Sequence, residues 1–138
     1  MVDPIVEKSF EYKGYPCVIL FMPMCYRCGY VGIPRETAVG VNAIDCHGGI
    51  TYTEAYLWKQ DDPDKWWIGF DCMHFPDGFD VESGMNYWRD NEEQQNTIKN
   101  LFSRMSPYHQ LRSLAFVENE CKHIVDQIEE ERNNKEYI

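Results

Sequence analysis

The feature that most narrows the folds open to this chain is a change of hydrophobic period after Tyr87. Before it, apolar and aromatic side chains come in short runs broken by polar ones, as strands with a buried face require. After it they recur every three or four residues, the spacing of a helix with one apolar side. Strands first and helices last is the order of an α+β domain. The expected architecture is a single α+β domain over residues 1–138. An antiparallel β-sheet fills the N-terminal two-thirds (about 9–72), a loop follows over 73–90, and two C-terminal α-helices within about 91–133 pack on one face.

Local signals agree. Residues 9–12 and 17–22 flank Lys13-Gly14 and read as a hairpin, with Pro16 confined to a strand start or an edge. Residues 26–33 suit a third strand, in which Gly29 and Gly32 suggest a bulge or a close backbone approach. Residues 41–46 and 50–57 are further strand candidates, and 66–72, almost wholly apolar, suits a central strand covered on both sides. Residues 76–84 are rich in turn formers. Beyond them, Ile98, Leu101, Phe102 and Met105 share a helical face within 91–105, with Glu92 and Glu93 in the first turn, where the helix dipole favours acids. Ser113 is suited to cap a longer helix reaching about Asn133, on which Leu114, Val117, Cys121, Ile124, Val125 and Ile128 form one apolar face.

A chain of 138 residues can bury its own core. No run approaches the roughly 18 apolar residues that span a bilayer, so no membrane role is expected. The N-terminal residues lack the basic and apolar regions of a signal peptide, and the expected compartment is the cytoplasm. There the six cysteines, Cys17, Cys25, Cys28, Cys46, Cys72 and Cys121, are expected to be reduced. A net charge of -10 repels phosphate backbones, which argues against direct nucleic-acid binding and is compatible with a basic protein partner. Oligomeric state is not legible in the sequence.

Residues 44–74 concentrate the chemistry: His47-Gly48-Gly49 at one end, Asp71-Cys72-Met73-His74 at the other. Three uses are open to them. Cys25-x-x-Cys28 with Cys72 and His74 half-matches a structural zinc site, although no second Cys-x-x-Cys exists and no cofactor is expected outright. Cys28 or Cys72 with His47 or His74, and Asp71 as orienter, supplies the residue types of a hydrolytic thiol enzyme. The third use is a ligand pocket. His47, Asp71 and His74 would converge there, Gly48-Gly49 would form the floor, Thr51 and Tyr52 would offer hydroxyls, and Trp67 or Tyr52 would be a wall. Strand alternation sets Asp71 and His74 on opposite faces, so they meet only if the strand bends or ends near Cys72.

The runs Cys28-Gly29-Tyr30-Val31-Gly32-Ile33-Pro34, His47-Gly48-Gly49-Ile50-Thr51-Tyr52 and Trp66-Trp67-Ile68-Gly69-Phe70-Asp71-Cys72-Met73-His74 resemble a family of small bacteriophage and prophage proteins. Its motifs read CGYVG(I/V)P, HGG(I/L)TY and WW(I/F)GFDCxH, and the likeness extends over residues 17–127, including a helical end at 116–121. It implies a viral or mobile-element origin, action inside a host bacterial cell, and motif status for Cys28, His47, Asp71, Cys72 and His74; it brings no catalytic assignment. Small acidic phage proteins often blunt host immunity. The expectation is a binding protein that antagonises a host antiviral pathway by sequestering a small, nucleotide-like ligand or by occluding a host protein.

Overall fold

The computed structural model describes residues 2–37, 40–104 and 109–136. Strands β1 (Ile5–Tyr12) and β2 (Tyr15–Phe21) form the expected hairpin. Lys13 and Gly14 both take positive φ, 51° and 86°, which matches the turn to the twist of the strands. Pro16 lies before the first β2–β3 pair, Cys17 with Val31, where its missing N–H leaves no gap in that ladder. With β3 (Arg27–Pro34), β4 (Tyr52–Glu54) and β5 (Lys65–Asp71) they make a five-stranded antiparallel sheet in the order β1-β2-β3-β5-β4.

Alternation gives the sheet two faces of different character. Cys17, Ile19, Val31, Ile68 and Phe70 pack against helix α3 (Leu114–Glu136). Ser113 caps that helix through its hydroxyl, which accepts from the Phe116 amide at 3.2 Å. The predicted stripe is the packed one: Val117, Cys121, Ile124, Val125 and Ile128 are fully buried. Each of the four valines and isoleucines contributes about 1.5–3 kcal/mol by leaving water. The helix comes so close to β3 that a Cβ at Gly29 would lie 2.8 Å from the Cys121 Sγ. Gly29 and Gly32 therefore mark close approach; the irregularity in the sheet falls in β1, between Val6 and Lys8.

The second face carries Val18, Leu20, Cys28, Tyr30 and Trp67, partly covered by Leu57 and Trp58 from the link between β4 and β5. At the sheet end near the β2–β3 turn, α1 (Val81–Tyr87) and α2 (Glu92–Phe102) close a third cluster around Phe21, Cys25, Ile98 and Phe102. Buried Arg27 joins that end to the sheet, pairing with Glu7 at 2.7 Å and Asp80 at 2.9 Å. Asp80 caps α1, and its carboxylate is held low despite burial by Ser83 and Arg27. Two short strands, β6 (Asp77–Gly78) and β7 (Gln110–Leu111), pair in parallel. No helix among the described residues is long and apolar enough to cross a membrane.

Three local expectations are corrected. Residues 73–90 are more than a loop, because they hold β6 and α1. Residues 41–46 are no strand: a 3-10 turn spans Val41–Ala43, and the Asp45 and His47 amides donate to Gln127 and Glu120 of α3 instead of to a ladder. Of residues 50–57, only Tyr52–Glu54 pairs in the sheet, and Leu57 turns inward to the core. Met105, expected on the α2 face, lies outside the described residues.

Candidate functional site

The site begins where β5 ends. Asp71 is its last residue, and the Asp71 carboxylate accepts the Met73 amide on Oδ1 and the Thr51 hydroxyl on Oδ2, each at 3.1 Å. This local hydrogen bond turns the chain at once. His74 swings back, and its Nε2 sits 3.1 Å from Asp71 Oδ1. The strand stops where the convergence of Asp71 and His74 needs it to stop.

His47 arrives from the other end of the motif region. Cys46 to Gly49 close a tight turn, with the Gly49 amide donating to the Cys46 carbonyl at 2.9 Å and both glycines at positive φ. Gly48 has a second reason to be bare: a Cβ there would lie 2.6 Å from the His74 ring. The two imidazoles stand edge to face with centroids 6.2 Å apart. They do not share Asp71. His47 Nε2 lies 2.9 and 2.8 Å from the two oxygens of Asp77. A carboxylate only accepts, so in this contact Nε2 carries a proton.

Asp77 is the residue sequence reasoning missed. Its side chain is 1% exposed and also accepts from Arg112 Nε at 2.8 Å and from the His74 amide at 3.1 Å. Burial pushes this carboxyl up, yet hydrogen bonds from His47, Arg112 and His74 together hold it below its ordinary range. Arg112 in turn lies over the Phe116 ring, 4.8 Å from its centroid, and Phe116 meets His47 edge-on. The only hint in the sequence is Asp77 placed three residues after His74, within a Pro-Asp-Gly turn.

Beside Asp71 and His74 opens a cleft of about 470 Å³ on the second face, lined by Tyr26, Tyr30, Thr51, Tyr52, Met22 and Met73, among others. Tyr30 and Tyr52 pair on either side of Gly69, and a Cβ at Gly69 would strike the Tyr30 ring at 2.4 Å. Glycine there lets the two tyrosine rings stand at 83° with centroids 5.2 Å apart. Thr51, Tyr52, Asp71 and His74 line one cleft; His47, expected to converge with them, does not line it and holds Asp77 instead. Trp67 does not join them: it is 1% exposed, packed with Val18, Leu20 and Leu57. Gly49 has open space where a Cβ would be and makes no floor. A larger cleft of about 680 Å³, between β1, β2 and α1, contains Glu7, Glu82 and Arg89 but none of the motif residues.

Burial and packing set the chemistry open to the thiols. Cys28 lines the cleft, but burial pushes its thiol up to about 12. Cys46 is raised to about 11 by burial and nearby Glu120, and Cys72 further still by burial and Asp77. A catalytic thiol needs the opposite shift. Cys25 packs with Ile98 and Phe102, whereas Cys28 packs with Tyr30 and Trp67, so the Cys-x-x-Cys pair is divided between two clusters. Among the described residues, no three His, Cys, Asp or Glu side chains are grouped to hold a metal ion.

No family model, curated protein or solved structure matches the chain.

Proposed function

We propose that this chain is a small acidic binding protein of phage or prophage origin that antagonises a host antiviral pathway by sequestering a small ligand in the cleft beside His74. The observation that carries this reading is the Asp71 carboxylate, already engaged by Thr51, Met73 and His74, at the end of a tyrosine-lined cleft. Polar groups fixed at strand ends capture a ligand without first paying to order themselves. Capture is favoured over covalent chemistry because burial holds the cysteine thiols in their unreactive form. The origin rests on the motif resemblance, and the antagonism on the roles that small acidic phage proteins commonly fill.

The test equilibrates purified protein with a small-molecule extract of bacterial cells, washes it, and identifies what denaturation releases by mass spectrometry. Wild type should retain a compound that Asp71→Asn and His74→Ala both lose. The same substitutions should abolish any protection the protein gives a phage against a defended host. Identical retention by all three proteins would sink the reading.

A second reading, occlusion of a host protein, is favoured by one observation. Met24, Met73, Phe75 and Leu101 are exposed, Phe75 by 84%, and border apolar grooves. It predicts that Phe75→Glu abolishes antagonism while His74→Ala leaves it intact.

A further inference from the structure

Building on the ligand-capture reading, we propose that the molecule held in this cleft carries an organic cation, an alkylated or quaternary ammonium group, seated among Tyr26, Tyr30 and Tyr52 and facing Asp71. The first argument is geometric. Tyr30 and Tyr52 stand nearly perpendicular, at 83° with centroids 5.2 Å apart, and Tyr26 borders the same space. Ring faces carry partial negative charge, Tyr30 and Tyr52 pack edge to face, and a cleft lined by three tyrosines attracts an ammonium group too large and apolar for water to hold well. Gly69 makes the corner possible, since any side chain there would drive Tyr30 off the sheet. Met22 and Met73 complete the lining with polarisable thioethers that suit methyl groups.

The second argument is charge. Asp71 supplies a fixed anion at the cleft's end, and three of its roughly four acceptor positions are engaged by Thr51, Met73 and His74, which hold it in place. Among the described residues lining the cleft there is no Lys or Arg. The nucleotide-like ligand expected from the sequence would bring phosphate charge that only His74 could meet, on a chain of net charge -10. A cation reverses every one of those signs. At about 470 Å³ the cleft exceeds a trimethylammonium head, so the cation forms one end of a larger molecule.

The experiment titrates the intact protein by calorimetry with choline, its uncharged carbon isostere 3,3-dimethylbutan-1-ol, adenosine and AMP. Choline should bind at least roughly tenfold more tightly than the isostere, and Asp71→Asn and Tyr52→Leu should each weaken it roughly tenfold with the melting temperature unchanged. A trimethyl-lysine peptide tests the same head group on a different carrier: tighter binding than choline assigns a protein side chain, weaker binding a free metabolite. Equal binding of choline and its isostere overturns the cation. Binding of adenosine or AMP without choline also overturns it, while leaving ligand capture standing. If no probe binds, the cation falls; if the cell extract also yields nothing retained, ligand capture falls with it.

Discussion

The molecule contains two histidine–carboxylate pairs side by side, built from the same residue types and put to different uses. In His47–Asp77 the side chains are 17% and 1% exposed; in His74–Asp71 they are 41% and 29% exposed. The contact distances, 2.8 and 3.1 Å, do not separate them. Surroundings do. Asp77 gathers His47, Arg112 and the His74 amide at a junction between the β5 exit, the β6–β7 pair and the start of α3. Asp71 gathers its partners at the rim of an open cleft. One pair is a buried clamp and the other, at the cleft, is the one the proposed function uses for recognition, because removing a buried carboxylate strands its partners, whereas water replaces a more exposed one.

Removing the two acids in turn should separate the clamp from the open pair. Asp77→Ala should destabilise the fold by about 3 kcal/mol, a fall of roughly 10 °C in melting temperature, since Arg112 and His47 lose a shared buried partner. His47→Ala should lose about half as much, and it should not behave as a pure site residue. If Asp77→Ala melts with wild type, the clamp does not exist.

Acid should reveal the same asymmetry. The carboxyl of Asp77 is depressed in the folded state, so its contribution is full above the unfolded value near about 4 and is lost as pH falls through the lower folded value. Asp80, depressed by Ser83 and Arg27, adds to it with the same sign. Urea unfolding from pH 6 downwards should show stability falling below about pH 4, and the fall should be shallower in Asp77→Asn. An equal slope in both proteins would assign the acid sensitivity elsewhere.

The two glycines of the His47 turn differ in what surrounds them. Gly48 and Gly49 both have positive φ, 72° and 79°, so alanine at either should cost about 1 kcal/mol in backbone strain. Only at Gly48 does the new Cβ meet the His74 ring; at Gly49 it meets nothing. Gly48→Ala should therefore lose ligand capture where Gly49→Ala keeps it, although their melting temperatures match.

The smallest stability effects belong to the cleft itself. Asp71→Asn and His74→Ala should each stay within about 0.5 kcal/mol of wild type, as exposed pairs do, while capture disappears. A large loss of stability from either would make Asp71 a second clamp.

Much of this molecule was legible in advance. The hairpin around Lys13-Gly14 and the buried stripe from Val117 to Ile128 follow from alternation and helical spacing, because one buried face per element is a local demand. The meeting of Asp71 with His74 was legible as a condition, a strand that ends there, and local Asp71 bonding to the Met73 amide meets it. Trp67 could not be assigned between wall and core, since that depends on the link between β4 and β5 folding Leu57 and Trp58 over the sheet. Asp77 and Arg112 were invisible: one sits in a turn-rich stretch where acids are usually solvated, and 35 positions separate them.

Which elements form, and which side chains each must bury, follows from the order of residues along the chain. Which of two like carboxylates is taken out of water was set by long-range packing. Desolvation is not a property of aspartate. It is set by what closes over the residue, and the turn leading into α3 closes over Asp77 and leaves Asp71 at the open cleft.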